Sequence, residues 1–156
     1  MPPILANRFD LRSGDPLGPN YEVIRNLGEG TYGVVYLVRD KRNGRQKKAA
    51  KVLKLYNNPP NLREEISKRF EREFLCGKIQ SPYLVAAEEK GMLDGNPFFI
   101  MEYCSLGSAK DWVGKNPDFR KVERFAMDVL RGLATLHKNG IIHRDLKPDN
   151  ILLFSK

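Results

Sequence analysis

The sequence predicts an α+β fold: a five-stranded antiparallel sheet with one packed helix, followed by the start of a helical region. Three observations predict it. Short β-branched and aromatic runs, separated by Gly, Pro and Asn-Gly signals, fill residues 21–103. One apolar repeat of period four interrupts them over 62–79. Beyond Gly107 the periodicity becomes helical.

Tyr21 to Leu27 mixes aliphatic and polar residues as a strand does. Gly28, Gly30 and Gly33 then form a tight turn into Val34-Val35-Tyr36-Leu37-Val38. Asn43-Gly44 is a hairpin signal. It leads into a third strand over 46–55, which the stretch Asn57 to Asn61, with Pro59 and Pro60, breaks. Leu62, Ile66, Phe70 and Phe74 put an apolar stripe on a helix over 62–79, with Glu73 on or beside it. Ser81-Pro82 ends that helix. Leu84 to Ala87 and Gly91 to Leu93 read as short strand segments, and Asp94-Gly95-Asn96-Pro97 turns the chain into the apolar strand Phe98-Phe99-Ile100-Met101.

Downstream, Ser108 to Val113 forms a short helix in this reading. Val122, Phe125, Ala126, Val129, Leu130, Leu133 and His137 give one face of a longer one, capped by Asn139-Gly140. Ile141-Ile142 and Ile151 to Phe154 bracket a polar loop, His143 to Asn150. The expected organisation is a leader or linker over 1–20, a sheet-bearing part over 21–103 and a helical part over 104–156.

The chain has 156 residues, of which 41% are hydrophobic, enough for a core and too many for wholesale disorder. Lys and Arg total 27 against 19 Asp and Glu, a net charge of +8 that favours anionic partners. The basic residues are spread from Arg8 to Lys156 without a dense block, so no nucleic-acid-binding tail is expected. Cys76 and Cys104 lack metal-site spacing and read as buried or half-buried free thiols. No run is long enough to span a bilayer, and Met1-Pro2-Pro3-Ile4 lacks a signal-peptide layout, so a cytoplasmic setting is the default expectation.

Three signals carry chemistry. Gly28-Glu29-Gly30-Thr31-Tyr32-Gly33 is a GxGxxG followed by a β-branched run. A dinucleotide-binding fold would put a helix there, so that reading fails. A strand-turn-strand glycine loop can lie over a nucleotide with its N–H groups near phosphate oxygens; an ordinary glycine-rich hairpin is the plainer alternative. Lys51, in Ala49-Ala50-Lys51-Val52, sits in an apolar strand, where a lysine either snorkels to the surface or has a partner. Glu73 is the partner on offer, since a carboxylate on an inner helix face is costly unless paired. Glu64, Glu65 and Glu71 read as solvent-facing competitors, and a one-residue phase error would make Glu73 an exposed helix residue too. In His143-Arg144-Asp145-Leu146-Lys147-Pro148-Asp149-Asn150, Asp145 can accept or orient a hydroxyl proton. Lys147 can meet developing negative charge, and Asn150 offers Mg²⁺ a neutral oxygen.

Together these motifs resemble the protein kinase superfamily, serine/threonine type, over residues 21–154. Gly28 to Val35 matches its GxGxxGxV, Lys51 resembles the VAIK lysine that contacts the α- and β-phosphates, and Glu73 resembles its partner on the C-helix. The resemblance implies an ATP site that includes Leu27, Gly28, Glu29, Gly30, Gly33, Val35, Ala49 and Lys51. It makes Met101 the gatekeeper and gives Glu102 and Cys104 the hinge backbone groups that hold adenine. His143 to Asn150 matches HRDxKxxN, with Asp145 as catalytic base, Lys147 as the serine/threonine-kinase lysine and Asn150 as an Mg²⁺ ligand.

The resemblance also implies a kinase-like fold: an N-lobe sheet with its C-helix, then an incomplete C-lobe. The implied reaction is transfer of the ATP γ-phosphoryl to a Ser/Thr hydroxyl of a protein substrate, with ATP and Mg²⁺ required. Arg144 implies regulation through a phosphorylated activation loop, by another kinase or by autophosphorylation. The family's DFG aspartate, activation segment and APE motif do not occur in these residues, so the expectation is a fragment inactive alone, with an exposed apolar face on its C-lobe helix. A non-catalytic kinase-like binding or scaffold module is the alternative. A small-molecule kinase fits the catalytic loop less well.

Overall fold

The computed structural model describes residues 11–155; residues 1–10, half of the expected leader, lie outside the described residues. Two compact units are present, one of residues 11–78 with Ala86–Tyr103, the other of Ile79–Val85 with residues 104–155. Among the described residues, no helix is long and apolar enough to cross a membrane.

The first unit is a six-stranded antiparallel sheet with one helix. Its strands are β1 (Pro16–Leu17), β2 (Tyr21–Glu29), β3 (Gly33–Asp40), β4 (Lys47–Leu53), β5 (Ala87–Leu93) and β6 (Asn96–Glu102), in the order β1-β2-β3-β4-β6-β5. Helix α1 (Arg63–Gly77) follows β4. The sheet thus has six strands, not the five expected. The extra one, β1, is two residues long and carries no periodicity a sequence reading can use. It lies within the stretch expected as a leader: Pro16 and Leu17 pair with Glu22 and Tyr21, and the Leu17 side chain is fully buried. The two short segments expected at 84–87 and 91–93 are replaced by one strand, β5, with an irregularity between Ala87 and Glu89.

Alternation along the strands sorts the sheet into two cores. Val34, Tyr36, Val38, Ala50, Val52, Phe98 and Ile100 point to one side and pack with Leu17, Tyr21 and Val23. Leu53, Ala87 and Phe99 point to the other, where Ile66, Phe70 and Phe74 of α1 cover them. The Phe99 ring centre lies 5.0 Å from that of Phe70 and 5.8 Å from that of Phe74. Leu62, expected to begin the α1 stripe, is instead its N-cap residue and is 39% exposed.

The sheet curls enough for β2 and β5, distant in the strand order, to share a polar cluster. The Tyr21 hydroxyl donates to Glu89, and Arg42 Nη2 lies 2.7 Å from both that hydroxyl and Glu89 Oε1. Asp40, 1% exposed, accepts from the Arg42 backbone N–H at 2.9 Å and from its Nε at 3.1 Å. The hydrogen bond from the Arg42 side chain holds the Asp40 carboxyl below its ordinary range. Hydrogen bonds from Tyr21 and then Arg42 do the same for Glu89. Burial first, then Glu89, pushes the Tyr21 phenol up.

In the second unit, α2 (Phe119–Lys138) begins at Asp118, whose side chain accepts from Arg120 N at 3.3 Å. It ends at Asn139-Gly140, where Gly140 has φ +73° and Ile141 N–H donates to Leu136 O at 3.0 Å. Gly132 and Leu136 are buried; a side chain at Gly132 would come within 3.0 Å of Tyr83 O. Of the predicted apolar face, Phe125, Val129 and Leu133 are half-buried, whereas Val122 and Leu130 are exposed. The helix expected at 108–113 is a four-residue 3-10 turn, Ala109–Trp112.

Candidate functional site

The glycine turn is shorter than its motif. Gly28 and Glu29 already belong to β2 and Gly33 opens β3, so only residues 30–32 form the bend, closed by Gly30 N–H donating to Gly33 O at 2.8 Å. Gly33 is required by packing: a Cβ there would lie 2.6 Å from Val52 O, a contact with backbone that cannot yield. Gly28 differs, with nothing within 4 Å of where its Cβ would be. That open space is what a glycine turn needs if a phosphate is to approach its backbone.

Register decides what shares a face with Lys51. Across β3, β4 and β6, Val35, Lys51 and Phe99 are in line, and Leu37, Ala49 and Met101 form the next row on that face. This is the side that α1 covers, because Phe99 packs on Phe70 and Phe74. Glu73 lies one turn beyond Phe70 and beside Phe74, at the edge of the stripe. Lys51 Nζ therefore meets both its carboxylate oxygens, at 2.7 and 2.5 Å. The Lys51 side chain is 28% exposed and that of Glu73 49%, so the pair is open to solvent and adds little to stability. Of the competitors, Glu64 pairs with Lys68 at 2.6 Å and Glu71 with Lys90 at 2.7 Å, and Glu65 is exposed.

Ala49 is buried; Leu27, Val35 and Met101 are half-buried. Glu102 ends β6, where its N–H donates to Ala86 O at 2.9 Å and its carboxylate accepts from Ala86 N–H at 3.1 Å. Cys104 belongs to the second unit; its side chain is buried and its carbonyl accepts from Gly107 N–H at 3.4 Å. Hollows of about 180 and 270 Å³ lie along β5, and neither is lined by Lys51 or the glycine turn.

The polar loop of the second unit is tied down just past its last residue and braced from within. After it, Ile151 O accepts from Ala109 N–H at 2.8 Å, and Leu153 exchanges hydrogen bonds with Leu106 and Gly107 at 3.2 and 2.8 Å. Within it, Asp145 N–H donates to His143 Nδ1 at 3.2 Å. The sequence reading gave His143 no role, although its place two residues before Asp145 permits this turn. Arg144 sits between them at φ +64°, a conformation that costs a non-glycine residue about 1–3 kcal/mol and persists only where its surroundings enforce it. Asn150, ending a 3-10 turn (Pro148–Asn150), donates through Nδ2 to Asp145 O at 2.8 Å and to Asp145 Oδ2 at 3.1 Å. Lys147 Nζ lies 3.4 Å from the same Oδ2. Lys110, also unforeseen, reaches Asp149 at 3.4 Å.

The structure thus brings together Lys51 with Glu73, and Asp145 with Lys147 and Asn150, each set within its own unit. Among the described residues, Asn150 and Lys147 both engage Asp145 Oδ2, and no hydrogen bond or ion pair falls on Oδ1. Asn150 spends its nitrogen on Asp145, which leaves Oδ1 as a neutral donor suited to Mg²⁺. No group of three or more His, Cys, Asp or Glu among the described residues could hold a metal by itself.

Residues 21–156 match the protein kinase domain family. The chain is similar to a probable serine/threonine-protein kinase, pknA2, of Bifidobacterium longum: 34% identical over 136 residues, covering 85% of this chain and 18% of that one. It is also similar to the serine/threonine-protein kinase cds1 of Schizosaccharomyces pombe, 33% identical over 141 residues, covering 86% and 30%. It therefore spans less than a third of either relative. In fold it resembles the solved structure "PpkA-294 apo form", with a TM-score of 0.78 at 20% identity, over 91% of this chain and 57% of that one.

Proposed function

Because this chain belongs to the protein kinase domain family, we propose that it supplies the ATP-binding region and catalytic loop of a serine/threonine protein kinase. In this reading the first unit serves as the N-lobe and residues 104–156 open the C-lobe. The observation that carries it is the constellation Asp145–Lys147–Asn150, in which two side chains grip one carboxylate oxygen and leave the other available.

The reaction joins a Ser/Thr hydroxyl oxygen to the γ-phosphorus of ATP and breaks the bond to the bridging β–γ oxygen, releasing ADP. Asp145 Oδ1 accepts the hydroxyl hydrogen bond, orients that oxygen for attack and takes its proton as the new O–P bond forms. Lys147, tethered to Asp145 Oδ2, carries its positive charge next to the attacking oxygen, where negative charge develops. Lys51, oriented by Glu73, holds the α- and β-phosphates, and the glycine turn covers them with backbone N–H groups. Leu27, Val35, Ala49 and Met101 form the apolar bed for adenine, with the Glu102 carbonyl and Cys104 N–H as its hydrogen-bonding groups. Asn150 Oδ1 would hold Mg²⁺, which when bound neutralises phosphate charge.

Arg144 offers an exposed guanidinium for an activation-loop phosphate. The test is phosphotransfer from ATP to Ser, Thr and Tyr peptides by the full protein and by Asp145→Asn. Transfer to Ser or Thr that Asp145→Asn reduces by about 10²-fold or more supports the assignment. A substituted enzyme as active as the parent removes Asp145 from the chemistry.

A further inference from the structure

Lys54 follows β4 and meets both arms of the glycine turn. Its backbone N–H donates to Tyr32 O at 2.8 Å, and its Nζ is paired with Glu29. Glu29 ends β2 and Tyr32 immediately precedes β3, so one residue grips the turn on its rising and its descending side. An exposed ion pair would carry no such meaning. Here the Lys54 side chain is only 15% exposed against 59% for Glu29, whereas the surface pair Lys68–Glu64 is 63% and 80% exposed.

The grip has a fixed base. The next residue, Leu55, donates its N–H to Oδ1 of Asn96, which is 1% exposed at the start of β6. Lys54 O accepts from Asn58 Nδ2 at 2.7 Å, and Asn58 O accepts from Arg63 Nε at 3.0 Å. Arg63 is the first residue of α1, the helix that carries Glu73. The same short linker therefore holds the glycine turn at one end and the root of α1 at the other.

We propose that Lys54 is a positioning residue that sets the height of the glycine turn over nucleotide phosphates and ties it to the helix that orients Lys51. This rests on the reading that the turn receives phosphate. It assigns Lys54 no contact with nucleotide; Lys54 acts through Glu29 and Tyr32.

The experiment compares the full protein with Lys54→Met, Glu29→Gln and the charge swap Glu29→Lys/Lys54→Glu. Affinities for ATP and for adenosine are measured by calorimetry, and amide hydrogen exchange is followed over residues 30–33 without nucleotide. Each single variant is expected to weaken ATP by about fivefold, the upper range for such a pair, while adenosine changes less than about twofold. Exchange in the turn should rise in both, and the swap should recover most of the loss. A Lys54→Met protein with unchanged ATP affinity, or with ATP and adenosine weakened alike, overturns the proposal. So does unchanged exchange over residues 30–33. A parent protein that binds no ATP overturns the reading of the site and this proposal with it. One that binds ATP and loses it with Lys51→Ala, but is indifferent to Lys54, overturns this proposal alone.

Discussion

Lys51 and Phe99 stand opposite each other across the β4–β6 ladder, and the Phe99 ring is the surface on which α1 packs through Phe70 and Phe74. The ion pair to Glu73 therefore depends on an apolar contact. Phe99→Ala should destabilise the protein by about 3–5 kcal/mol, as truncation of a buried aromatic does. Lys51→Met, at a half-exposed pair, should change stability by less than about 1 kcal/mol and yet abolish nucleotide binding. Urea unfolding with ATP titration separates the two; a strongly destabilised Lys51→Met protein would contradict this division.

The two glycines at the ends of the motif should fail in different ways. Gly33→Ala drives a methyl into the Val52 carbonyl and should lower the unfolding midpoint, by about 1–3 kcal/mol in stability. Gly28→Ala meets no protein atom and should leave the midpoint nearly unchanged while weakening ATP. Thermal melts with and without nucleotide distinguish them. Equal loss of stability in both would mean that the space beside Gly28 is filled.

Stability should fall at both ends of the pH scale, through the Asp40–Arg42–Glu89–Tyr21 cluster. Asp40 and Glu89 have lowered folded pKa values, so their contribution is present above the ordinary carboxylate range near pH 4 and is lost as pH falls below it. Tyr21 has a raised value, so its contribution is present below about pH 10 and is lost as pH rises through the folded value. Arg42→Gln should move the acid unfolding midpoint upward. An acid limb that does not respond to Arg42→Gln would remove the cluster from the explanation.

Asn150→Ala removes the clamp on Asp145 and, in the proposed function, the neutral oxygen that would hold Mg²⁺. Activity of the full protein should drop by about 10–100-fold, with a higher Mg²⁺ requirement. Asn150→Asp restores an oxygen but puts a second carboxylate against Asp145 Oδ2, and it should not rescue. Magnesium titrations of the initial rate report this; full rescue by Asp would make the Nδ2 bonds irrelevant.

Where the sequence has a period, the fold could be read. Ile66, Phe70 and Phe74 announced the buried face of α1, and with Lys51 in an apolar strand they put Glu73 within reach of its partner. The hairpin order from Tyr21 to Leu53 was equally legible, because Gly and Asn-Gly mark its turns. Contacts without local signature were not. Leu17 is buried by pairing with Tyr21, yet a two-residue strand has no pattern. Glu89 meets Tyr21 only because the sheet curls, across 68 positions of chain. Leu62 kept the four-residue spacing but fell on the cap, where the helical turn that would have buried it has not begun. In the loop from His143 to Asn150 residue types were readable, but the choice of which Asp145 oxygen is gripped belongs to geometry alone.

The curl of the sheet bears on how this protein avoids its own kind. A β-sheet border with unpaired N–H and C=O groups is a template on which another chain can add a strand. Here one border is a strand of two residues, and the other, β5, is irregular between Ala87 and Glu89 and anchored through Glu89 to Tyr21 and Arg42. Opening that anchor by acid or by Arg42→Gln would free a longer, flatter border, so loss of the cluster should show as aggregation at conditions where much of the fold persists.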